Sequence, residues 1–159
     1  MKIRTGFGYD VHAFGKGRAL WLGGVRIEHP DGLLGHSDAD VLIHAICDAL
    51  LGAANLRDIG FHFPDTAGEY KDIDSKILLR KTMEMLRTSG YELGNIDATI
   101  VAEQPKLSPY IPAMQQTLAE VMQADPDDVS IKATTSEKLG FTGRSEGITA
   151  YAVVLITDR

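Results

Sequence analysis

The chain has few of the features that stabilise secreted proteins or membrane proteins. It contains a single cysteine, Cys47, in 159 residues, and one cysteine cannot form an intramolecular disulfide, so we expect a reducing, cytoplasmic setting. The most apolar stretch, residues 41–54, is interrupted by His44 and Asp48 and is too short to span a bilayer. No signal or transit segment is expected, because the chain opens with strand-like residues 2–4. The sequence therefore predicts no membrane partner.

Clustered positive charge is also missing. The net charge is -6 at pH 7, the isoelectric point is about 5.3, and no block of Lys and Arg stands out. Because binding to a nucleic-acid backbone requires clustered cations, no nucleic-acid partner is predicted. A small anionic ligand stays compatible with this charge if a metal ion and backbone amides bind it.

The composition that is present is that of a globular protein, and we expect one domain over residues 1–159. Apolar residues make up 44% and charged residues 24%, and the length is enough for a hydrophobic core. Hydrophobic periodicity predicts strands at 2–13, 91–103, 129–133 and 148–157, a strand pair at 19–28, and helices beginning near Ser37, Ile73 and Ser108. This order favours an α/β two-layer sandwich, in which helices pack on one face of a mixed β-sheet.

The first predicted strand carries two candidate metal ligands. Apolar residues such as Phe7, Tyr9 and Val11 occupy its odd positions, which is typical of a half-buried strand. Asp10 and His12 occupy even positions. Side chains two apart in a strand share a face and lie about 6.6 Å apart along the chain, so both can converge on one ion.

The third candidate ligand, His44, lies in the helix that Ser37 is expected to cap. It is about 200° round the helix from Leu42, with Asp40 and Asp48 one turn to either side. A lone helical histidine is ordinarily solvent-exposed or packed in the core, but carboxylates flank this one. A helix that brings it to the strand pair completes a two-His, one-carboxylate site, which leaves a coordination position open as a catalytic zinc requires.

A second cluster, Lys132 to Lys138, leaves a predicted strand. Hydroxyl groups and free amides at a strand end suit phosphate oxygens, and Glu137 is suited to a hard cation such as Mg²⁺ between phosphates. A helix capping box fits the same residues, because Thr134 is followed three residues later by Glu137. Taken alone, this pattern favours the cap.

Three more segments of the chain bear on function. Residues 102–107 leave a strand through a Pro-Lys loop whose backbone groups can read the edge of a ring, or they form a simple strand-to-helix turn. Residues 140–144 fit a flexible turn. The segment 55–68 has no periodic pattern and contains the potential ligands Asp58, Gly60, His62, Asp65 and Thr66.

Together, these segments resemble the 2-C-methyl-D-erythritol 2,4-cyclodiphosphate synthase family of the non-mevalonate isoprenoid pathway. The resemblance covers essentially the whole chain, because seven motifs agree in order and spacing. They are Gly6-x-Gly8-x-Asp10-Val11-His12, His36-Ser37-Asp38-Ala39-Asp40, Asp58-Ile59-Gly60, Phe63-Pro64-Asp65-Thr66, Pro105-Lys106, Thr134-Thr135-x-Glu137 and Gly140-Phe141-Thr142-Gly143-Arg144.

The resemblance implies a cyclising phosphorus–oxygen lyase that acts on 4-diphosphocytidyl-2-C-methyl-D-erythritol 2-phosphate. The 2-phosphate of this substrate attacks its β-phosphorus, CMP leaves, and a cyclic diphosphate forms. By the same resemblance, Asp10, His12 and His44 bind one Zn²⁺ per subunit, and Glu137 helps to hold Mg²⁺ or Mn²⁺ between the phosphates.

The resemblance also assigns the other site residues. His36 and Thr135 are implied to be catalytic, as stabilisers of the transition state. The implied substrate-binding residues are Asp10, Val11, His12, His36, Ser37, Asp58, Ile59, Gly60, Phe63, Pro64, Asp65, Thr66, Ala67, Ala102, Glu103, Gln104, Pro105, Lys106, Leu107, Ser108, Thr134, Thr135, Ser136, Glu137, Phe141 and Arg144.

The family resemblance further implies a homotrimer whose active sites lie between neighbouring subunits. It also implies that an isoprenoid diphosphate can occupy a channel along the trimer axis, near Arg144 and Glu146. Two other functions fit the residues. A metal-dependent phosphohydrolase would use the same site to activate water, and a non-catalytic trimer would bind metal or isoprenoid without turnover.

Overall fold

The computed structural model describes residues 1–158. Its strands are β1 (Ile3–Lys16), β2 (Leu20–Leu22), β3 (Val25–Ile27), β4 (Asp31–Leu33), β5 (Tyr91–Val101), β6 (Val129–Thr134) and β7 (Gly147–Asp158). Its helices are α1 (Val41–Ala53), α2 (Ile59–His62), α3 (Ser75–Thr88), α4 (Ile111–Met122) and α5 (Gly140–Gly143), with 3-10 turns at Gly68–Tyr70, Ser108–Tyr110 and Pro126–Asp128.

Five strands form one mixed sheet in the order β4-β1-β7-β5-β6. Only β5 and β6 run parallel, while β1 pairs antiparallel with both β4 and β7. Helix α1 packs on β1 and β7, and α3 and α4 pack beside it over β5 and β6. The predicted two-layer α/β arrangement, a mixed sheet with its helices on one face, is therefore confirmed.

The two faces of β1 differ from the simplest expectation of its pattern. The apolar odd positions were expected to form its buried half, yet Phe7 is 63% exposed and Val11 is 41% exposed. The buried face instead contains Gly6 and Gly8, and a Cβ at Gly8 would lie 1.8 Å from the Ala45 carbonyl oxygen. Because glycine has no side chain, the α1 backbone lies directly against the strand on this face.

Helix α1 begins later than its sequence suggested. Its N-cap is Asp40 and not Ser37, because the Asp40 carboxylate accepts the Ile43 N–H at 3.1 Å. The same carboxylate also accepts N–H groups from Gly23 at 2.9 Å and Gly24 at 2.7 Å. This buried side chain therefore joins the β2–β3 turn to the start of the helix that carries His44.

The remaining elements follow the sequence with local corrections. The predicted strand pair at 19–28 is confirmed as β2 and β3, and Gly90, with a left-handed φ of 86°, follows the end of α3. Strand β4 was not among the predicted elements, and the unpatterned segment 55–68 contains the short helix α2. No helix within residues 1–158 is long and apolar enough to cross a membrane.

Candidate metal and substrate site

Asp10, His12 and His44 meet at one point between β1 and α1. The Asp10 Oδ2 atom lies 2.9 Å from His12 Nε2 and 3.1 Å from His44 Nδ1, and the two ring nitrogens are 3.3 Å apart. The strand places Asp10 and His12 on the same face, and α1 delivers His44 from above them. The predicted convergence of these three side chains is confirmed.

Each histidine is held through its other ring nitrogen. His12 Nδ1 donates to the Leu34 carbonyl oxygen at 2.7 Å, so its Nε2 faces the cluster. His44 Nε2 lies 2.9 Å from Ser75 Oγ and 3.1 Å from Ser37 Oγ, so its Nδ1 faces the cluster. Hydrogen bonds of this kind fix the orientation of a metal-ligating imidazole.

The charges within the cluster stabilise one another. Burial alone would raise the pKa of Asp10, but hydrogen bonds and charge interactions with His12 and His44 outweigh it and lower the pKa to about 2. For His12, burial opposes protonation, but the hydrogen bond and charge of Asp10 raise its pKa. A carboxylate therefore persists at neutral pH beside imidazoles that face it, as a cation site requires.

The donor atoms fit a metal ion. A tetrahedral ion with bonds of about 2.0–2.1 Å separates its ligand atoms by about 3.3 Å, and the three donor atoms here are 2.9–3.3 Å apart. Two imidazole nitrogens and one carboxylate oxygen suit zinc, with a coordination position left for a ligand. The same donor set also suits other divalent transition metals.

A cavity of about 250 Å³ opens beside the three candidate ligands. From the predicted set, it is lined by Asp10, His12, His36, Ser37, His44, Ile59, Gly60, Phe63 and Asp65. His36 Nε2 lies 3.3 Å from the Ala67 carbonyl oxygen, so His36 also contacts the loop that holds Pro64 and Thr66. Asp58 caps α2 by accepting the Phe61 N–H at 2.9 Å, and thereby orients this rim of the cavity.

Four residues that line this cavity were not predicted: Gly35, Tyr70, Ile73 and Leu78. Tyr70 ends a 3-10 turn, and Leu78 belongs to the buried stripe of α3. Only the helical stripe has a pattern visible in the sequence, and that pattern indicates core packing. Val11, by contrast, has its exposed side chain on the other face of β1.

A second cavity, of about 460 Å³, lies where strands β5 and β6 end. It is lined by Glu103, Gln104, Lys106, Leu107, Ser108, Ile111, Ala133, Thr134 and Thr135. Residues 102–108 and 134–135 therefore lie together in this structure, joined by the hydrogen bond from the Ala102 N–H to the Thr134 carbonyl oxygen at 3.0 Å. Ile111 and Ala133 were not predicted.

The capping-box interpretation of Thr134 and Glu137 is wrong. Helix α5 starts at Gly140 with no side-chain cap, and Glu137 has a left-handed φ of 54°. The Thr135 hydroxyl donates to Glu137 Oε1 at 3.2 Å, and both side chains are exposed. A non-glycine residue in this conformation is often found at a functional site.

The structure does not bring all of the predicted residues together within one chain. No residue of 102–108 or 134–137 lines the metal-side cavity in the part of the chain that is described. Phe141 and Arg144 follow on the exposed α5 segment, where Arg144 pairs with Glu146 at 3.2 Å. The metal ligands and the 134–137 segment thus form two separate half-sites.

The fold and the two half-sites define an α/β protein with a candidate strand-and-helix metal site beside a cavity. Residues 3–157 match the model of the YgbB family. A 2-C-methyl-D-erythritol 2,4-cyclodiphosphate synthase of Parabacteroides distasonis is 78% identical over 98% of this chain and 97% of its own length. The chain therefore belongs to the YgbB family, and it is an enzyme of this cyclising-lyase type.

Solved structures agree with this assignment. The bifunctional IspDF of Campylobacter jejuni is 45% identical, with a TM-score of 0.96. The match covers 99% of this chain and 43% of that longer protein. An IspF structure from Plasmodium falciparum, in complex with CDP, is 34% identical with a TM-score of 0.86, over 99% of this chain and 97% of that one.

Proposed function

We propose that this protein converts 4-diphosphocytidyl-2-C-methyl-D-erythritol 2-phosphate into 2-C-methyl-D-erythritol 2,4-cyclodiphosphate and CMP. An oxygen of the 2-phosphate forms a bond to the β-phosphorus, and the bond from that phosphorus to the bridging oxygen of CMP breaks. The observation that carries this proposal is the convergence of Asp10, His12 and His44 beside a cavity, in a chain 78% identical to a 2-C-methyl-D-erythritol 2,4-cyclodiphosphate synthase.

The nucleophile in this reaction is already ionised, so no strong general base is required. The main requirements are alignment of the two phosphates and neutralisation of their charge. When bound, Zn²⁺ at the Asp10, His12 and His44 site and Mg²⁺ or Mn²⁺ at Glu137 would supply positive charge to the diphosphate. An acidic protein can bind a highly anionic substrate in this way.

The metal-side cavity fits the methylerythritol phosphate. The His36 and Ser37 side chains lie on one wall, and Ile59, Gly60 and Asp65 lie on another. The helix α2 has only four residues, but the capped turn at Asp58 holds its backbone in place. We assign His36 the role of stabilising the transition state, because it lines the same cavity as the metal ligands.

The second half-site fits the cytidine diphosphate. The backbone at 102–108 borders a cavity of about 460 Å³, and a solved relative of this fold is a CDP complex. Thr134 and Thr135 offer exposed hydroxyls for the phosphates, and we assign Thr135 the second stabilising role. Glu137, which contacts Thr135, is the candidate ligand for the second cation.

A homotrimer would bring the two half-sites together, because each chain carries both but does not join them. The outer sheet face supports this, since it exposes Phe7, Tyr9, Tyr151 and Val153. The Tyr9 and Tyr151 rings lie 5.2 Å apart on that face. An apolar surface of this kind typically marks an interface, and we propose that further copies of the chain cover it.

The proposed channel for an isoprenoid diphosphate has less local support. Arg144 and Glu146 are both more than half exposed, and their ion pair spans 3.2 Å, so a diphosphate would have to displace Glu146. Farnesyl diphosphate at saturating concentration should raise the melting temperature if this hypothesis holds, and an unchanged melting temperature would reject it. We also propose that the protein is cytoplasmic.

Product analysis tests the proposed reaction. We expect CMP, followed by chromatography, and a cyclic diphosphate, identified by phosphorus NMR, in equal amounts from a zinc- and magnesium-supplemented assay. CMP with a linear product would instead establish a phosphohydrolase. A folded, zinc-loaded protein without turnover would establish a binding protein.

A further inference from the structure

A chain of two side chains, the buried Ser75 and the half-buried Asp38, leads from His44 away from Asp10 and His12. Ser75, fully buried at the start of α3, places its Oγ 2.9 Å from His44 Nε2. Its hydroxyl donates to Asp38 Oδ1 at 2.5 Å, and its backbone N–H donates to Asp38 Oδ2 at 2.9 Å. Because the single hydroxyl hydrogen of Ser75 is used on Asp38, its oxygen is left to accept the N–H of His44.

We propose that Asp38 and Ser75 are positioning residues for the metal site. They hold the His44 ring with a hydrogen on Nε2, and this turns the Nδ1 lone pair towards the point that Asp10 and His12 share. The inference deepens the proposed function and rests on the metal site assigned there. A carboxylate behind a ligating imidazole fixes its tautomer and increases its basicity, and Ser75 extends that effect by one side chain.

We call the hydrogen-bonded pair Asp38 and Ser75 the relay, and backbone hydrogen bonds hold it in place. The Asp38 N–H donates to the Ile73 carbonyl oxygen at 3.1 Å, and the Asp72 N–H donates to the His36 carbonyl oxygen at 2.8 Å. These two bonds join the segment before α1 to the segment before α3. Asp38 and Ser75 are therefore held against each other independently of any bound metal.

Ser37 also approaches His44 Nε2, at 3.1 Å, but its role differs. Ser37 Oγ already accepts the Ala39 N–H at 3.1 Å, and Ser37 lines the cavity that we assign to substrate. Ser75 lies behind the ring and does not line that cavity. Substrate binding can therefore redirect Ser37 while Ser75 keeps the orientation of His44.

The test compares Ser75→Ala with Thr82→Val, which removes another fully buried hydroxyl from the same helix. Zinc affinity is measured by competition with a chelator, and the tautomer of His44 is measured by ¹⁵N NMR of the metal-free protein. We expect Ser75→Ala to weaken zinc binding by roughly 10–100-fold and to reduce the population with hydrogen on Nε2. Thr82→Val should match the wild type in both measurements.

Each other result has a definite meaning. Wild-type zinc affinity and tautomer in Ser75→Ala would overturn the relay and leave the metal site intact. An equal loss in Ser75→Ala and Thr82→Val would also overturn it, as a general effect of α3. Absence of zinc binding by the wild type would overturn the proposed metal site itself. If Ser75→Ala does not fold, Asp38→Asn takes its place, and unchanged zinc affinity there rejects the relay.

Discussion

At the metal half-site, each histidine is anchored by a second group of the same chain, whereas at the 134–137 half-site Thr135 and Glu137 are exposed and hydrogen-bond to each other. His12 is held by the Leu34 carbonyl and His44 by Ser75. Thr135 and Glu137 instead share two long hydrogen bonds of 3.2 Å, in which the Thr135 hydroxyl donates to Glu137 Oε1 and the Glu137 N–H donates to Thr135 Oγ1. The difference indicates that the first half-site is preorganised within a chain, and we propose that the second acquires its shape only with substrate, cation and a neighbouring chain.

The strongest test of this contrast pairs His44→Ala with Glu137→Gln. We expect His44→Ala to lose zinc and about 10²–10⁴-fold in kcat/KM, because a catalytic metal contributes several kcal/mol. Glu137→Gln should keep its zinc and raise the magnesium concentration needed for activity. Metal analysis and magnesium titrations measure both effects. Zinc loss in Glu137→Gln would remove the distinction between the half-sites.

A second test asks whether the open half-site depends on a neighbouring chain. Val153→Asp places a carboxylate on the exposed sheet face, where Val153 is 48% exposed. Because burying an unpaired charge costs several kcal/mol, we expect dissociation and an activity loss of more than about 100-fold with zinc affinity unchanged. Ile77→Asp, on the exposed side of α3, is the control. Light scattering measures the assembly, and a Val153→Asp variant of wild-type mass and activity contradicts the prediction.

The rigidity of the metal half-site can be weakened through the backbone contact beneath it. Gly8→Ala would place a Cβ 1.8 Å from the Ala45 carbonyl oxygen and move α1 away from β1. We expect the free energy of unfolding to fall by about 3 kcal/mol or more and zinc affinity to fall with it.

Gly52→Ala is the matched control for that substitution. Gly52 is also a glycine of the strand–helix unit, but it lies within α1 with open space around its Cα. Alanine there should raise the free energy of unfolding by about 0.5–1 kcal/mol. Urea denaturation at one protein concentration measures both, and similar effects at the two positions would show that close packing at Gly8 is unimportant.

The smallest effect is expected at Cys47, three residues after His44 in α1. Burial raises the pKa of its thiol to about 12, so the neutral thiol persists from pH 7 to 9. Labelling of the native protein by a disulfide reagent should therefore be slow and should not follow the titration of a free thiol near pH 8.5. Unfolded protein in urea is the control, and rapid native labelling would indicate that α1 opens readily.

The convergence of the three candidate metal ligands could be predicted from the sequence because each lies on a regular element. Two-residue spacing in a strand places Asp10 and His12 on one face, and helical spacing places His44 between two carboxylates. Ser75 could not be found in this way, since it lies 31 residues from His44 and its neighbours indicate only a helix start. The sequence predicted the N-cap at Ser37 and not at Asp40, because the amides that favour Asp40 come from the distant β2–β3 hairpin.

The same limit explains the faces of β1. An alternating pattern shows that two faces differ, but not which one the helices cover. The glycine face is covered within the chain because two glycines admit α1, and the apolar face is left outward. At the second half-site, the local residue pattern predicted a helix cap. The structure instead has a turn in which Glu137 adopts a left-handed backbone, and the sequence could not predict this because glutamate does not favour that conformation.

The alternation of β1 also limits how this chain can change length. Its even positions carry the close-packed glycines and two metal ligands, and its odd positions carry the outward apolar surface. Inserting or deleting one residue before Asp10 would exchange these two sets between faces. Bulky rings would then meet α1, and the ligands would face outward. We therefore expect β1 not to tolerate insertion of a single residue, whereas it can tolerate substitutions within either set of positions.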